Sequence, residues 1–119
     1  NLTFNKACLN FINEEKLKGR KIYLISGSHI ILINQFKNKL FNFNDFYGTH
    51  NNFNMISNNK VKYIRKQLHI KEFDYIGNSN QDLAVWKNSN KIIYTNTSDD
   101  LVKKINLIKK EKIFIKEIF

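Results

Sequence analysis

A small polar turn, Ser26-Gly27-Ser28, follows a short run of β-forming residues at 21–25. A strand that ends in such a turn, ahead of a helix, offers hydroxyl and backbone N–H groups, and phosphate is often held in this way. Because small polar residues are also common helix N-caps, the segment taken alone fits either a phosphate-binding loop or an ordinary cap.

A second turn, Gly77 to Asp82, follows the run at 73–76 and ends in a carboxylate in the first turn of a predicted helix. Oxygen atoms at such a position suit Mg²⁺, which takes one or two carboxylates together with water and substrate phosphate. Asp82 could equally serve only to stabilise the N-terminus of its helix. Lys60 opens a helix between the two turns, and it is either a charge partner at the same edge or a solvated lysine.

The elements that would position these residues alternate between strand and helix. Strands are predicted at 21–25, 45–48, 73–76, 91–94 and 113–115, and helices at 4–18, 30–40, 59–68, 81–87 and 99–109. This alternation is typical of an α/β fold with a mainly parallel, Rossmann-like sheet covered by helices on both faces, a three-layer arrangement. Ligands of such sheets lie at the C-terminal ends of the strands, so both turns are predicted to face one edge. With 119 residues, a single domain over 1–119 is expected.

The composition excludes several classes of protein. No run of about 18 apolar residues is present, so no membrane span is predicted, and a lone cysteine, Cys8, favours a reducing, cytoplasmic location. The net charge of +10 comes from 18 Lys and only 2 Arg. Because Lys, Asn, Ile and Phe, which have AT-rich codons, supply 64 of the 119 residues, we attribute the charge to base composition. Nucleic acid is therefore not the favoured partner, and a basic nucleic-acid-associated module stands as the third hypothesis.

The order of these segments resembles the haloacid dehalogenase (HAD) superfamily of phosphohydrolases over residues 2–97. Ser26 matches the Ser or Thr that ends a strand in the family's second motif, and Lys60 matches the helix-opening lysine of the third. Gly77 to Asp82 is similar to the Gly-Asp-Ser-x-x-Asp form of the fourth motif. The run from Asp82 to Trp86 is most similar to the phosphatase domains that are fused to bacterial polyprenyl transferases.

This resemblance implies a Mg²⁺-dependent phosphomonoesterase that works through an aspartyl-phosphate. Residues 26–28 would bind the phosphoryl group, with Ser26 as a hydrogen-bond partner, and Lys60 would neutralise its charge. Asn78 and Asp82 would anchor Mg²⁺. The implied substrate is a phosphorylated small molecule or a lipid-linked phosphate, and a polyprenyl transferase is the implied partner or fusion.

The chain departs from the family pattern in two places. Asn78 stands where the family has a metal-binding Asp, and an amide keeps one oxygen ligand but loses the charge. The Asp-x-Asp-x-Thr nucleophile belongs upstream of residue 22, and residues 1–21 do not contain it. The segment Asp45 to Thr49 resembles that motif, but its second Asp is replaced by Tyr47 and it follows the Ser26 strand.

The strand that carries the nucleophile is the first, central strand of the family's sheet, so the predicted sheet lacks it. Either a segment upstream supplies this strand, or the segment 113–119 fills its place. We therefore expect the C-terminal part of a HAD-like core fold with no separate cap, inactive without the upstream Asp. A degenerate pseudo-phosphatase that binds a phosphorylated ligand or a protein is the alternative, and Asn78 favours it.

Overall fold

A computed structural model describes residues 6–31, 43–50 and 53–116 of the chain. The described residues fall into two compact units, one within residues 6–55 and the other within residues 56–116. The single domain expected over residues 1–119 stays a prediction.

Helix α1 of the first unit spans Lys6–Leu17 and buries Ala7 and Ile12. The helix ends at Leu17, and Gly19 follows it with a φ of 87°, in the left-handed region that glycine adopts without a steric penalty. The Gly19 N–H donates to the Lys16 carbonyl at 2.9 Å, which satisfies one of the free carbonyl groups at the helix end. A glycine just past the helix predicted at 4–18 is a typical stop signal in the sequence, and the structure confirms it.

Strands β1 (Tyr23–His29) and β2 (Asp45–Thr49) of the first unit pair in parallel. The prediction that the first strand stops at Ser26 is wrong, because β1 continues to His29. Ile25 pairs with Tyr47 and His29 with Thr49, so the turn 26–28 lies opposite Gly48 alone as an irregularity within the strand. The predicted helix at 30–40 lies, from residue 32 onward, outside the described residues.

The second unit contains a parallel three-stranded sheet in the order β3–β4–β5. Its elements are α2 (Ser57–Lys62), a π-helical continuation (Tyr63–Gln67), β3 (Tyr75–Gly77), a 3₁₀ turn (Asn80–Asp82), α3 (Leu83–Trp86), β4 (Lys91–Tyr94), α4 (Asp99–Asn106) and β5 (Glu111–Phe114). The Ser98 hydroxyl caps α4 by accepting a hydrogen bond from the Leu101 N–H at 3.2 Å. The sequence predicts this cap, because Ser98 directly precedes the helix and Asp99 and Asp100 lie in its first turn, and the structure confirms it.

The core of the second unit is built around Trp86, which is fully buried with Ile92, Leu101 and Ile105. The Trp86 Nε1–H donates to the carbonyl of Tyr75 at 3.2 Å and lies 3.3 Å from that of Ile93. The indole therefore ties β3 and β4 together at the base of the turn that follows β3.

The structure confirms the α/β class in its coarser form: a mixed α/β protein with short parallel sheets. Among the described residues, β1 pairs only with β2, and β3 pairs only with β4. Strand β5 lies on the far side of β4 from β3, so residues 113 and 114 do not fill the place of the missing strand. That alternative is wrong for the described part of the segment 113–119.

Within residues 6–31, 43–50 and 53–116, no helix has both the length and the apolar character needed to cross a membrane.

Candidate functional site

The turn after β3 is organised around the carboxylate of Asp82. Its Oδ2 atom accepts hydrogen bonds from the backbone N–H groups of Asn78 at 2.8 Å and Ser79 at 3.0 Å, and from the Ser79 hydroxyl at 3.3 Å. Asp82 is buried, with 7% of its surface exposed. Because backbone N–H groups of the turn donate to an ionised oxygen, the carboxylate fixes the conformation of residues 78–82.

Glycine is needed at position 77 because the Asp82 side chain lies directly against it. A Cβ atom on Gly77 would stand 2.6 Å from both Cγ and Oδ2 of Asp82. Real Cβ contacts are essentially never under 3.0 Å, so a larger residue would displace the carboxylate. The Gly-to-Asp spacing found in the sequence thus has a steric basis in this turn.

Lys60, Tyr75 and Asp82 form a hydrogen-bonded chain beside the turn. The Lys60 ammonium donates to the Tyr75 phenol oxygen at 2.8 Å, and the Tyr75 hydroxyl donates to Asp82 Oδ1 at 2.7 Å. The Lys60 Nζ lies 4.0 Å from the same Asp82 oxygen, and the two side chains are only 12% and 10% exposed. Two of the three predicted residues of the third and fourth motifs are therefore brought together in one cluster.

The pKa values of Lys60 and Tyr75 are shifted in opposite directions. Burial lowers the pKa of the Lys60 ammonium, and the attraction of Asp82 only partly offsets this effect. Burial, followed by the neighbouring Asp82 charge and its hydrogen bond, raises the pKa of the Tyr75 phenol well above its usual range. Burial thus favours the neutral form of both groups, whereas the nearby Asp82 favours the protonated form of both.

The Lys60 ammonium retains hydrogen-bonding capacity. An ammonium has three N–H donors, and within the described residues one of them has a hydrogen-bond acceptor, the Tyr75 oxygen. The remaining donors can serve an anionic ligand, because a charged donor in a partly buried site interacts more strongly than it would in water.

The cluster does not fit direct coordination of Mg²⁺ by Asp82. Three donors reach its Oδ2 atom, Tyr75 donates to Oδ1, and the Lys60 ammonium lies beside that same oxygen. A divalent cation bound there would displace these donors and approach an existing positive charge. Asn78 is exposed and offers one neutral amide oxygen, which by itself is too small a ligand set for Mg²⁺. No cluster of three or more His, Cys, Asp or Glu side chains suited to a metal occurs in the part of the chain that the structure describes.

The predicted phosphate-binding turn of residues 26–28 lies in the first compact unit. There the Ser28 N–H donates to the Ser26 Oγ at 3.0 Å, and the Gly27 carbonyl accepts from the Thr49 hydroxyl at 2.8 Å. The Ser28 N–H is thus occupied within the turn itself. A shared role of Ser26, Gly27 and Ser28 with Lys60 stays a prediction.

Tyr75 is the residue of the cluster that the sequence did not single out. Its place in a β-forming run is typical of a core residue, and its ring does pack on the core, edge-on to Trp86 with ring centroids 6.4 Å apart. The signal that was available is its position two residues before Gly77, on the strand that leads into the turn. Hydrogen bonding of a hydroxyl to Lys60 and Asp82 is visible only in three dimensions.

Comparisons with protein-family models, with curated proteins and with solved structures return no match for this chain.

Proposed function

We propose that this chain binds a phosphate group through Lys60 and is the C-terminal part of a HAD-like hydrolase. The proposal rests on the Lys60 ammonium, which lies beside Tyr75 and Asp82. Among the described residues, one of its three N–H groups donates a hydrogen bond, to the Tyr75 oxygen, and the other two can bind a ligand. The ammonium stands next to a turn at the carboxyl end of a parallel strand, where open α/β sheets bind their ligands.

In this proposal Lys60 donates hydrogen bonds to the phosphate oxygens, while Asp82 holds the turn. The carboxylate offsets the charge of the ammonium, since the two groups are 4.0 Å apart. We therefore expect the chain alone to bind inorganic phosphate weakly, with a Kd of about 1 mM, equivalent to about 4 kcal/mol of binding free energy.

The finer architecture that we propose is the three-layer, Rossmann-like HAD sheet. Its support is the pairing pattern: among the described residues, β1 and β3 each have one side that pairs with no strand. Parallel sheets are normally buried and continuous, so such sides are places where a further strand adds. In the proposed intact protein, a segment outside this sequence supplies that strand together with the Asp nucleophile.

In the intact protein the reaction proposed is hydrolysis of a phosphate monoester through an aspartyl-phosphate. Mg²⁺ would supply charge stabilisation at the phosphoryl group, with its carboxylate ligands coming from outside this chain and Asn78 offering an amide oxygen. The resemblance alone supports the remaining proposals, which are a cytoplasmic location, a small phosphorylated or lipid-linked substrate, and a polyprenyl transferase partner or fusion.

The second candidate is a pseudo-phosphatase that binds a phosphorylated ligand or a protein without turnover. Two features favour this candidate: Asn78 carries no charge, and both Asp82 oxygens already accept hydrogen bonds. Together they leave few oxygen ligands for a metal ion. Both candidates share phosphate binding at Lys60, and they differ in whether catalysis occurs.

Phosphate binding is tested by titrating the chain with sodium phosphate and following backbone amide signals by NMR. Lys60→Gln should weaken binding at least about tenfold, because a charged hydrogen-bond donor is removed. Lys62→Gln is the matched control, since Lys62 is an exposed lysine on the same helix, and it should bind as the wild type does. Equal phosphate affinity in Lys60→Gln and the wild type would contradict the proposal.

The two candidates are separated by the mass and N-terminal sequence of the protein purified from its source, with a phosphatase assay of that product. An Asp-x-Asp-x-Thr strand ahead of this sequence, together with Mg²⁺-dependent hydrolysis of p-nitrophenyl phosphate, would support the enzyme. A product that begins at Asn1 and hydrolyses nothing would contradict the enzyme and leave the phosphate-binding protein.

A further inference from the structure

The Tyr75 hydroxyl lies between the two charged groups of the cluster. It accepts from Lys60 Nζ at 2.8 Å and donates to Asp82 Oδ1 at 2.7 Å, whereas the two charged atoms themselves are 4.0 Å apart. The phenol therefore occupies the position in which the ammonium and the carboxylate would otherwise form a direct, short ion pair.

The position of this hydroxyl is set by the core of the second unit. The Tyr75 ring packs edge-on to Trp86, which is fully buried, and the Trp86 indole donates to the Tyr75 carbonyl at 3.2 Å. Strand β3 holds the same residue through its pairing with Ile92 on β4. A rigid aromatic side chain held in this way determines where a flexible lysine finds its acceptor.

We propose that Tyr75 is a positioning residue for phosphate recognition, which holds the Lys60 ammonium away from Asp82 so that its remaining N–H donors face the ligand. The inference rests on the proposed function, because it takes phosphate as the ligand of Lys60. Without the phenol hydroxyl, the flexible Lys60 side chain moves towards Asp82, and its N–H groups donate to the carboxylate instead of to the ligand. The ring itself contributes packing, which Tyr75→Phe preserves.

The test is a double-mutant cycle with inorganic phosphate as the probe. Tyr75→Phe is expected to weaken phosphate binding about tenfold, as the loss of one charged hydrogen bond does. In a Lys60→Gln background the same substitution should cause no further loss, because the group that Tyr75 positions is absent. A merely structural tyrosine would instead reduce the affinity equally in both backgrounds, and that result would overturn the inference.

A second measurement tests the positioning independently of phosphate. The side-chain NH₃⁺ signals of hydrogen-bonded lysines are followed by ¹H–¹⁵N NMR at mildly acidic pH, and the Lys60 signal is assigned by its loss in Lys60→Gln. The Lys60 signal should shift in Tyr75→Phe, whereas that of Lys110, which donates to three carbonyl oxygens elsewhere, should not. An unchanged Lys60 signal in Tyr75→Phe would overturn the inference.

The two proposals fail in different ways. If Lys60→Gln loses phosphate but Tyr75→Phe binds it as the wild type does, the positioning role is wrong and phosphate binding at Lys60 stands. If Lys60→Gln has no effect on phosphate, the proposed function is wrong, and the inference is overturned with it. Tyr94→Phe, at a partly buried tyrosine of the same unit, is the control for the loss of a hydroxyl and should leave phosphate affinity unchanged.

Discussion

Replacing Gly77 by alanine tests the steric basis of the turn. The added Cβ would stand 2.6 Å from Asp82 Cγ and Oδ2 and 2.8 Å from Asp82 Cβ, so the carboxylate must move. Overpacking of a tight site costs about 1–3 kcal/mol, and a weakened hydrogen bond to a charged group costs about 1.5–3 kcal/mol. Since relaxation lets the turn recover part of this energy, we expect Gly77→Ala to lower the free energy of unfolding by about 3 kcal/mol.

The same substitution should cost less once the Asp82 side chain is shortened. In an Asp82→Ala background the two nearest atoms, Cγ and Oδ2, are gone and only the Cβ contact at 2.8 Å remains. Gly77→Ala should then cost about 1 kcal/mol, and the coupling between the two positions should be about 2 kcal/mol. Asp82→Ala alone is itself destabilising, because it removes the acceptor of the Asn78 and Ser79 N–H groups. The prediction therefore concerns the coupling between the two positions and not the absolute stability of either variant.

Urea unfolding followed by Trp86 fluorescence is the assay. Trp86 is the only tryptophan in the chain and is fully buried, so its emission reports on the core of the second unit. A Gly77→Ala cost that is equally large with and without the Asp82 side chain would refute the reasoning. It would place the requirement for glycine in the backbone of the turn and not in the approach of the carboxylate.

Three further outcomes follow from other contacts of the second unit. Lys110→Met should lower the free energy of unfolding by about 1–2 kcal/mol, because the Lys110 ammonium donates to three carbonyl oxygens at the end of α3 and just beyond it. Lys109→Met, at an exposed neighbour, should change the free energy of unfolding little. Equal effects of the two substitutions in urea unfolding would contradict this prediction. Ser98→Ala should cost about 1 kcal/mol through loss of the cap on α4, and a wild-type midpoint would argue against the cap. Burial, together with the neighbouring carboxylate, raises the pKa of the Tyr75 phenol. The contribution of the Tyr75 hydroxyl to the free energy of unfolding is therefore complete below about pH 10, and it is lost as pH rises through the folded-state pKa. The stability difference between the wild type and Tyr75→Phe should therefore shrink above about pH 10, and a constant difference would contradict the shift.

The elements that could be predicted are those whose signals are local. Strand β4 has the bounds Lys91–Tyr94 that its apolar run predicts, and the stop at Gly19 follows from the left-handed backbone that glycine permits. Strand β1 was misjudged at its end, because a Ser/Gly turn within a strand can be absorbed as an irregularity when the partner strand continues. The π-helical continuation at Tyr63–Gln67 has no distinctive sequence signal, and the apolar spacing predicts an ordinary helix there.

The candidate site was predictable in its charged members and not in its arrangement. Lys60 and Asp82 were selected by residue type and spacing, and the structure brings them together. The sequence could not show that Tyr75 lies between them, since the partner of a phenol hydroxyl depends on the packing of a strand against a helix fifteen residues earlier. Nor could it show that both Asp82 oxygens accept hydrogen bonds, Oδ2 from the Asn78 and Ser79 N–H groups and Oδ1 from the Tyr75 hydroxyl.

Binding of a phosphate-sized anion at Lys60 is the central claim, and a crystal structure of the chain soaked with sodium tungstate tests it most directly. Tungsten gives a strong anomalous signal, so the anion is located without ambiguity among the 18 lysines of the chain. We predict an anomalous peak with an oxygen within hydrogen-bond distance of Lys60 Nζ, and its loss in Lys60→Gln. A peak found only at other lysines, with none near Lys60, would contradict the account.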